Sequence, residues 1–234
     1  MKSSLKSSFF ACLCTIGLTA EANAALIYDD SLPGATDVDG REMSLFVIAD
    51  DFMFSDASTL ESVKFWSVEG FGARQGGNAW DGTIEYFLFS DAGGAPSATP
   101  FASGLGQSIT RTFLGLSTTL LDQFNLYHYE FSLESPSALA SGTRYWLGLH
   151  LASDFNDRDE IYWASNYPQG LGSSSHASQS GTFDNWLSTT ATQTFQLFGE
   201  KTTVAGPATG WLLLSGFAGL VKLRRRITKQ SSHS

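Results

Sequence analysis

Tyr127-His128-Tyr129-Glu130-Phe131-Ser132-Leu133 carries a large apolar side chain at every second position and a polar one between. Successive side chains of an extended chain point to opposite faces, so this stretch gives a strand one buried face and one wet face. A helix would scatter the same residues around its axis. Tyr145, Leu147, Leu149 and Leu151 repeat the period. Upstream, Thr83-Ile84-Glu85-Tyr86-Phe87-Leu88-Phe89 is apolar on both faces except at Glu85, which predicts a strand covered on both sides. Further strands are expected over 26–29, 44–54, 60–67, 108–116, 160–165 and 192–198. No window between them sustains helical periodicity for three turns. Turn signals such as Asp91-Ala92-Gly93-Gly94-Ala95-Pro96 punctuate the chain instead.

The fold class that follows is all-β: a two-layer antiparallel β-sandwich, jelly-roll-like, over residues 25–200. Uneven loops argue against a closed barrel. Residues 168–181, rich in Gly and Ser, read as a mobile loop, and 201–203 as a spacer. Between residues 25 and 203 seven basic residues face 22 acidic ones, a net charge of −15. That balance repels polyphosphate, and no Lys/Arg stripe follows any strand, so no nucleic-acid partner is expected. Both cysteines, Cys12 and Cys14, lie in the N-terminal apolar run, so a processed domain would hold neither a disulfide nor a thiolate metal site.

The two ends differ from the middle. Residues 1–24 begin with Lys2 and Lys6, continue through an apolar run over 9–20, and finish on Ala22-Asn23-Ala24. Those are the three parts of a secretory signal, with cleavage expected after Ala24. From Val204 to Val221 no charged residue occurs, and at about 1.5 Å per residue the tract can just cross a hydrocarbon core as one transmembrane helix. Lys222, Arg224, Arg225, Arg226 and Lys229 follow. Basic residues favour the cytoplasmic side, which places the β domain outside and the tail inside.

Val204-Ala205-Gly206-Pro207-Ala208, the apolar tract and Arg224-Arg225-Arg226 together resemble the tripartite tail of the PEP-CTERM sorting class, in its Val-Pro-Leu-Pro-Ala variant. Ala205 and Gly206 stand where that variant has Pro and Leu. The resemblance covers about the last 30 residues. It implies recognition by an exosortase-like processing enzyme in the membrane. The precursor would be anchored in the inner membrane, and the product delivered to the cell surface, outer membrane or exopolysaccharide matrix. Ala49-Asp50-Asp51-Phe52, Phe65-Trp66, Trp80-Asp81-Gly82-Thr83-Ile84 and Tyr145-Trp146-Leu147 are also similar to the β-sandwich ectodomains that precede such tails.

The search for catalytic motifs is mostly negative. The chain has no His-Glu-x-x-His, no Gly-x-Ser-x-Gly, no phosphate loop and no dinucleotide fingerprint. Ser173–175 beside His176 reflects a Ser-rich loop more simply than a triad. Glu85 and Glu130 are the best glycosidase-like pair, if they face one another across a cleft. Asp154, Asn156, Asp157 and Asp159 concentrate oxygen ligands suited to a structural Ca²⁺, with Asp37 and Asp39 as a smaller cluster; a solvated acidic loop accounts for the same residues. No other cofactor is expected. Trp66, Trp80, Trp163, Tyr167 and Trp186 could stack on sugar rings if exposed, while Trp146 is assigned to the core. The expected role is a non-catalytic surface or matrix protein. The alternatives are a lectin-like module that grips exopolysaccharide and, behind it, a glycoside hydrolase.

Overall fold

A computed structural model of the chain describes residues 24–30, 32–33, 38–70, 80–118, 123–156, 159–166, 176–179, 183–188 and 192–202. Residues 1–23 of the predicted signal peptide and the C-terminal tract from 204 onward lie outside these residues. None of the described residues is helical, and among them no helix is long and apolar enough to cross a membrane.

The strands are β1 (Ala25–Asp29), β2 (Val38–Glu42), β3 (Phe46–Met53), β4 (Ser58–Glu69), β5 (Glu85–Ser90), β6 (Ala102–Leu105) and β7 (Gln107–Thr118). They continue with β8 (Gln123–Leu139), β9 (Arg144–His150), β10 (Ile161–Asn166), β11 (His176–Gln179), β12 (Leu187–Ser188), β13 (Thr192–Gln193) and β14 (Phe195–Lys201). They form two antiparallel sheets. In the eight-stranded sheet β4 is central, with β8 and then β7 on one side. On its other side lie β14, bordered by β1, and β10, which also meets β2 and β13. The six-stranded sheet runs β12-β11-β3-β9-β5-β6.

The sheets share one core, and the alternation in sequence decides which residues reach it. Val63 and Phe65 of β4, Tyr129 and Phe131 of β8, Trp163 of β10 and Phe195 of β14 face Ile48 and Phe52 of β3, Tyr86 and Leu88 of β5, and Leu147 and Leu149 of β9. Phe65 stacks on Tyr129 at 5.1 Å with the rings 7° apart, and Tyr86 stacks on Phe131 across the two layers at 6.0 Å. Such pairs add about 0.5–1.5 kcal/mol each beyond the area they bury.

Several strands escape a reading of apolar period. β8 runs on well past Leu133, through Glu134-Ser135-Pro136-Ser137, because its end pairs with the start of β4. A register shift between Leu60 and Ser62 accommodates Pro136, which has no N–H to give the ladder. β11 forms at 176–179, inside the segment read from sequence as a mobile loop, because it hydrogen-bonds along β3. Its Ser, Ala and Gln carry no apolar signal. The expected strand over 192–198 is instead β13 and β14, separated at Thr194, whose N–H bonds to Ala164 O.

Gly199 marks another register shift, between β14 and β4. A Cβ added there would sit 1.9 Å from the Thr59 carbonyl oxygen, which is backbone and cannot swing away. Gly199→Ala is therefore expected to lower stability by about 2–3 kcal/mol, read as a reduced urea midpoint with native-like circular dichroism.

Candidate functional site

The five aromatic residues singled out as sugar-binding candidates have different fates. Trp163 is 0 % exposed in the shared core, flanked by Phe65 at 6.1 Å and Phe195 at 5.7 Å. Its Nε1–H donates to Thr194 O at 3.0 Å. Trp66 points the other way, yet it too is buried, in a small cluster with Val68, Phe124, Tyr162 and Ala164 on the outer face of the eight-stranded sheet. Neither ring is available to a sugar, because each fills a packed layer. Tyr167 lies outside the described residues.

Trp186 is half-buried and serves as a cover. Phe87, Phe89 and Trp146 project from the outer face of the six-stranded sheet, and Phe183 and Trp186 lie over them. Trp186 meets Phe89 edge-on at 5.3 Å, and Phe183 meets Phe87 at 5.1 Å. This cover explains why Thr83–Phe89 is apolar on both faces, and why Trp146 is buried although it faces away from the main core. Trp146 Nε1–H donates to Asp91 Oδ1 at 3.0 Å.

Trp80 is the one of the four described candidates that sits beside exposed aromatic surface. Its Nε1–H donates to Thr83 O at 2.9 Å, which fixes the indole, and the ring meets Tyr129 edge-on at 5.0 Å. Beside it Arg111 of β7 pairs with Glu69 at the end of β4. Glu69 is buried, and its Oε1 also accepts from Ser67 Oγ and Tyr129 Oη, both at 2.7 Å. Burial, reinforced by the Glu69 charge, pushes the Tyr129 phenol far above its ordinary range, so it stays a neutral donor. The Arg111 guanidinium lies 3.8 Å from the Tyr127 ring centre, and Phe113 meets that ring at 5.4 Å. Phe113 is 54 % exposed. Sequence singled out neither Phe113 nor Tyr127 as ligand candidates, because both fit the period of a buried strand face.

The carboxylates Glu85 and Glu130 do not form a catalytic pair. Their strand neighbours Tyr86 and Phe131 point into the shared core, so each glutamate faces outward from its own sheet with that core between them. Glu130 pairs with Lys64 at 2.7 Å beside a shallow depression of about 220 Å³. Glu85 Oε2 lies 3.1 Å from Nδ1 of His150.

His150 is fully buried, with Phe155 stacked on its ring at 3.8 Å. Its Nε2 lies 2.8 Å from Ser44 O, a carbonyl that only accepts, so Nε2 donates. The Glu85 contact then needs a proton on Nδ1 or on the carboxyl itself. Ser44 Oγ donates to Glu42 and accepts from Asp159 N–H at 2.8 Å. Serine, histidine and glutamate thus meet with the hydroxyl turned away from the imidazole, which is not the geometry of an activated nucleophile. The Ser173–175 run lies outside the described residues.

The acidic loop is used for turn-making. Asp154 Oδ1 accepts from Asn156 N–H at 2.9 Å, and the Asp159 N–H anchors the loop on Ser44. Asp157 and Asp37 lie outside the described residues; Asp39 is on β2 opposite Ser165. Among the described residues no three His, Cys, Asp or Glu side chains gather to hold a metal ion.

A separate acidic group, not weighed from sequence, closes one side of the core. Asp50 of β3 is fully buried and accepts from Asp51 N–H and Gln193 N–H. Burial pushes its carboxyl well above the ordinary range. Asp30, after β1, is raised to about 6 by burial and then by the charges of Asp51 and Asp29. Its Oδ2 is buried without a hydrogen-bond donor. Asp51 on β3 is paired with Arg144 at 3.3 Å.

No protein-family model matches the chain, and a comparison with characterised proteins finds no match in sequence. The class defined is an all-β protein of two antiparallel sheets around one core.

Proposed function

We propose that this chain is an exported, non-catalytic protein of a bacterial cell surface or its extracellular matrix, in which a jelly-roll-like sandwich is carried out by the N-terminal signal and sorted by the C-terminal tail. The observation that carries the reading is the order of the tail: Val204-Ala205-Gly206-Pro207-Ala208, an uncharged tract to Val221, then Arg224-Arg225-Arg226. Its mechanism is placement. The apolar tract would halt export with the domain outside, and the basic cluster would hold the C-terminus in the cytoplasm. A membrane-embedded exosortase-like enzyme would then cut near Pro207 and release or transfer the domain.

The non-catalytic part of the reading is supported by the separation of Glu85 from Glu130 and by the orientation of Ser44 away from His150. Freedom from cysteine beyond residue 14 suits a domain that must fold after export without disulfide chemistry.

The test is expression of the full chain in two Gram-negative hosts, one with an exosortase and one with that enzyme deleted. The expected result is a shorter, surface-exposed product in the first host and a longer, inner-membrane form in the second. Replacing Arg224, Arg225 and Arg226 together by Gln should leave the longer form in both. An identical product from both hosts would refute sorting by the tail.

A further inference from the structure

We infer that the inner face of β4, β7 and β8, past the end of the six-stranded sheet, is a binding site for an uncharged saccharide. This goes beyond placement at the surface and would hold or fail independently of how the tail is processed.

The geometry begins where cover by the second sheet stops. β5 and β6 meet β8 at Phe131 and Glu134: Tyr86 stacks on Phe131, and Gly104 approaches the Glu134 carboxylate. Further along β8 the same face presents Tyr129, Tyr127 and Asn125. There Trp80 takes the place of a sheet over Tyr129. Among the described residues, the ring contacts of Tyr127 are Phe113 and the Arg111 guanidinium. The register confirms one common face, with Phe113 opposite Tyr127, Arg111 opposite Tyr129, and Glu69 opposite Asn125.

Phe113 more than half exposed on a strand is not explained by the core, whereas a flat apolar ring beside fixed polar groups is what a pyranose recognises. A sugar ring presents C–H groups to an aromatic face and hydroxyls around its rim. Arg111 and Asn125 offer donors at that rim, and the Asn125 amide oxygen offers an acceptor. These groups are preorganised. Glu69 is buried and holds Arg111, Arg111 lies over the Tyr127 ring, and Trp80 is pinned through its Nε1–H. Little freedom is then lost when a ligand binds.

Charge selects the class of sugar. Arg111 is already neutralised by Glu69, and a domain carrying −15 repels a polyuronate or a sulfated chain. A neutral hexose polymer meets no such barrier.

The experiment uses the full-length chain in detergent micelles, titrated with neutral gluco-, manno- and galacto-configured oligosaccharides and with a polyuronate. Binding of at least one neutral oligosaccharide is expected, weakened about tenfold or more by Phe113→Ala. The thermal midpoint should barely move, because Phe113 is largely exposed. Thr112→Ala, on the opposite face of the same strand, should leave binding unchanged. The site is overturned if the folded wild-type chain binds none of the neutral sugars, if it binds only the polyuronate, or if Phe113→Ala binds as well as wild type. Each of those outcomes leaves the sorting experiment untouched.

Discussion

Trp163→Ala is expected to cost about 3–5 kcal/mol, a large share of the roughly 5–15 kcal/mol that holds a domain of this size folded. The indole is 0 % exposed and is wedged between Phe65 of β4 and Phe195 of β14. Removing it opens a cavity that the strands around it cannot close, because β10 and β14 are both fixed by their own ladders to β4. The Nε1–H bond to Thr194 O is lost as well, and with it a tie between β10 and the segment joining β13 to β14. Trp163→Phe should recover much of the loss by refilling the volume without restoring that bond. Urea denaturation of the three proteins checks the order: wild type highest, then Phe, then Ala. Midpoints for Trp163→Ala equal to wild type would show that Trp163 is a surface residue.

Stability should fall as pH rises from about 4 to 8, opposite to the usual behaviour of a domain held by carboxylate ion pairs. Asp30 and Asp50 both have carboxyl pKa values raised in the folded state, principally by burial. Over the interval between the unfolded value and the raised one, the folded chain holds more protons than the unfolded chain. Unfolding then releases protons and becomes easier as pH climbs. The contribution is fully present below the ordinary Asp range. It is lost through about pH 6 for Asp30, and Asp50, raised by burial, acts in the same direction. Charges facing the pair act in the same sense: Asp29 and Asp51 oppose ionisation, and Arg144 is engaged by Asp51.

Two variants separate the contributions to that slope. Asp30→Asn should raise the thermal midpoint at pH 8 and change it little at pH 4, since Oδ2 of Asp30 accepts no hydrogen bond that an amide would forfeit. Asp50→Asn should flatten the slope too, at a cost of about 1–3 kcal/mol at low pH. One of the two backbone donors it now satisfies, Asp51 N–H or Gln193 N–H, would then face an amide NH₂. A midpoint that rises steadily from pH 4 to 8 in the wild type would contradict this account.

The layer architecture was legible in the sequence because alternation is a local signal. Tyr127–Leu133 and Tyr145–Leu151 name their buried faces without reference to anything distant, and Glu85–Phe89 announces cover on both sides. Strands whose stability comes from pairing rather than from an apolar face left no such mark. β11 reads as loop because Ala177, Ser178 and Gln179 carry no apolar alternation, and the strand is defined by its backbone ladder to β3. The same limit applied to the candidate site. Whether a tryptophan is core or platform depends on what lies over it, and nothing near Trp66, Trp163 or Trp186 in sequence says that Tyr162, Phe195 or Phe89 will. The Glu85–His150 contact joins residues 65 apart, and the Arg111–Glu69 pair joins residues 42 apart. Only the register of β9 with β5, of β7 with β8 and of β8 with β4 brings them together.

The central claim is delivery of one sandwich to the outside by its two ends, and mass spectrometry of both termini of the native protein, taken together with its cell fraction, tests it most directly. The account predicts a mature chain that begins at Ala25, ends near the Val204–Ala208 motif, and is recovered with the cell surface or matrix. A chain that still runs from Met1 to Ser234 and is recovered from the cytoplasm or the inner membrane would contradict it.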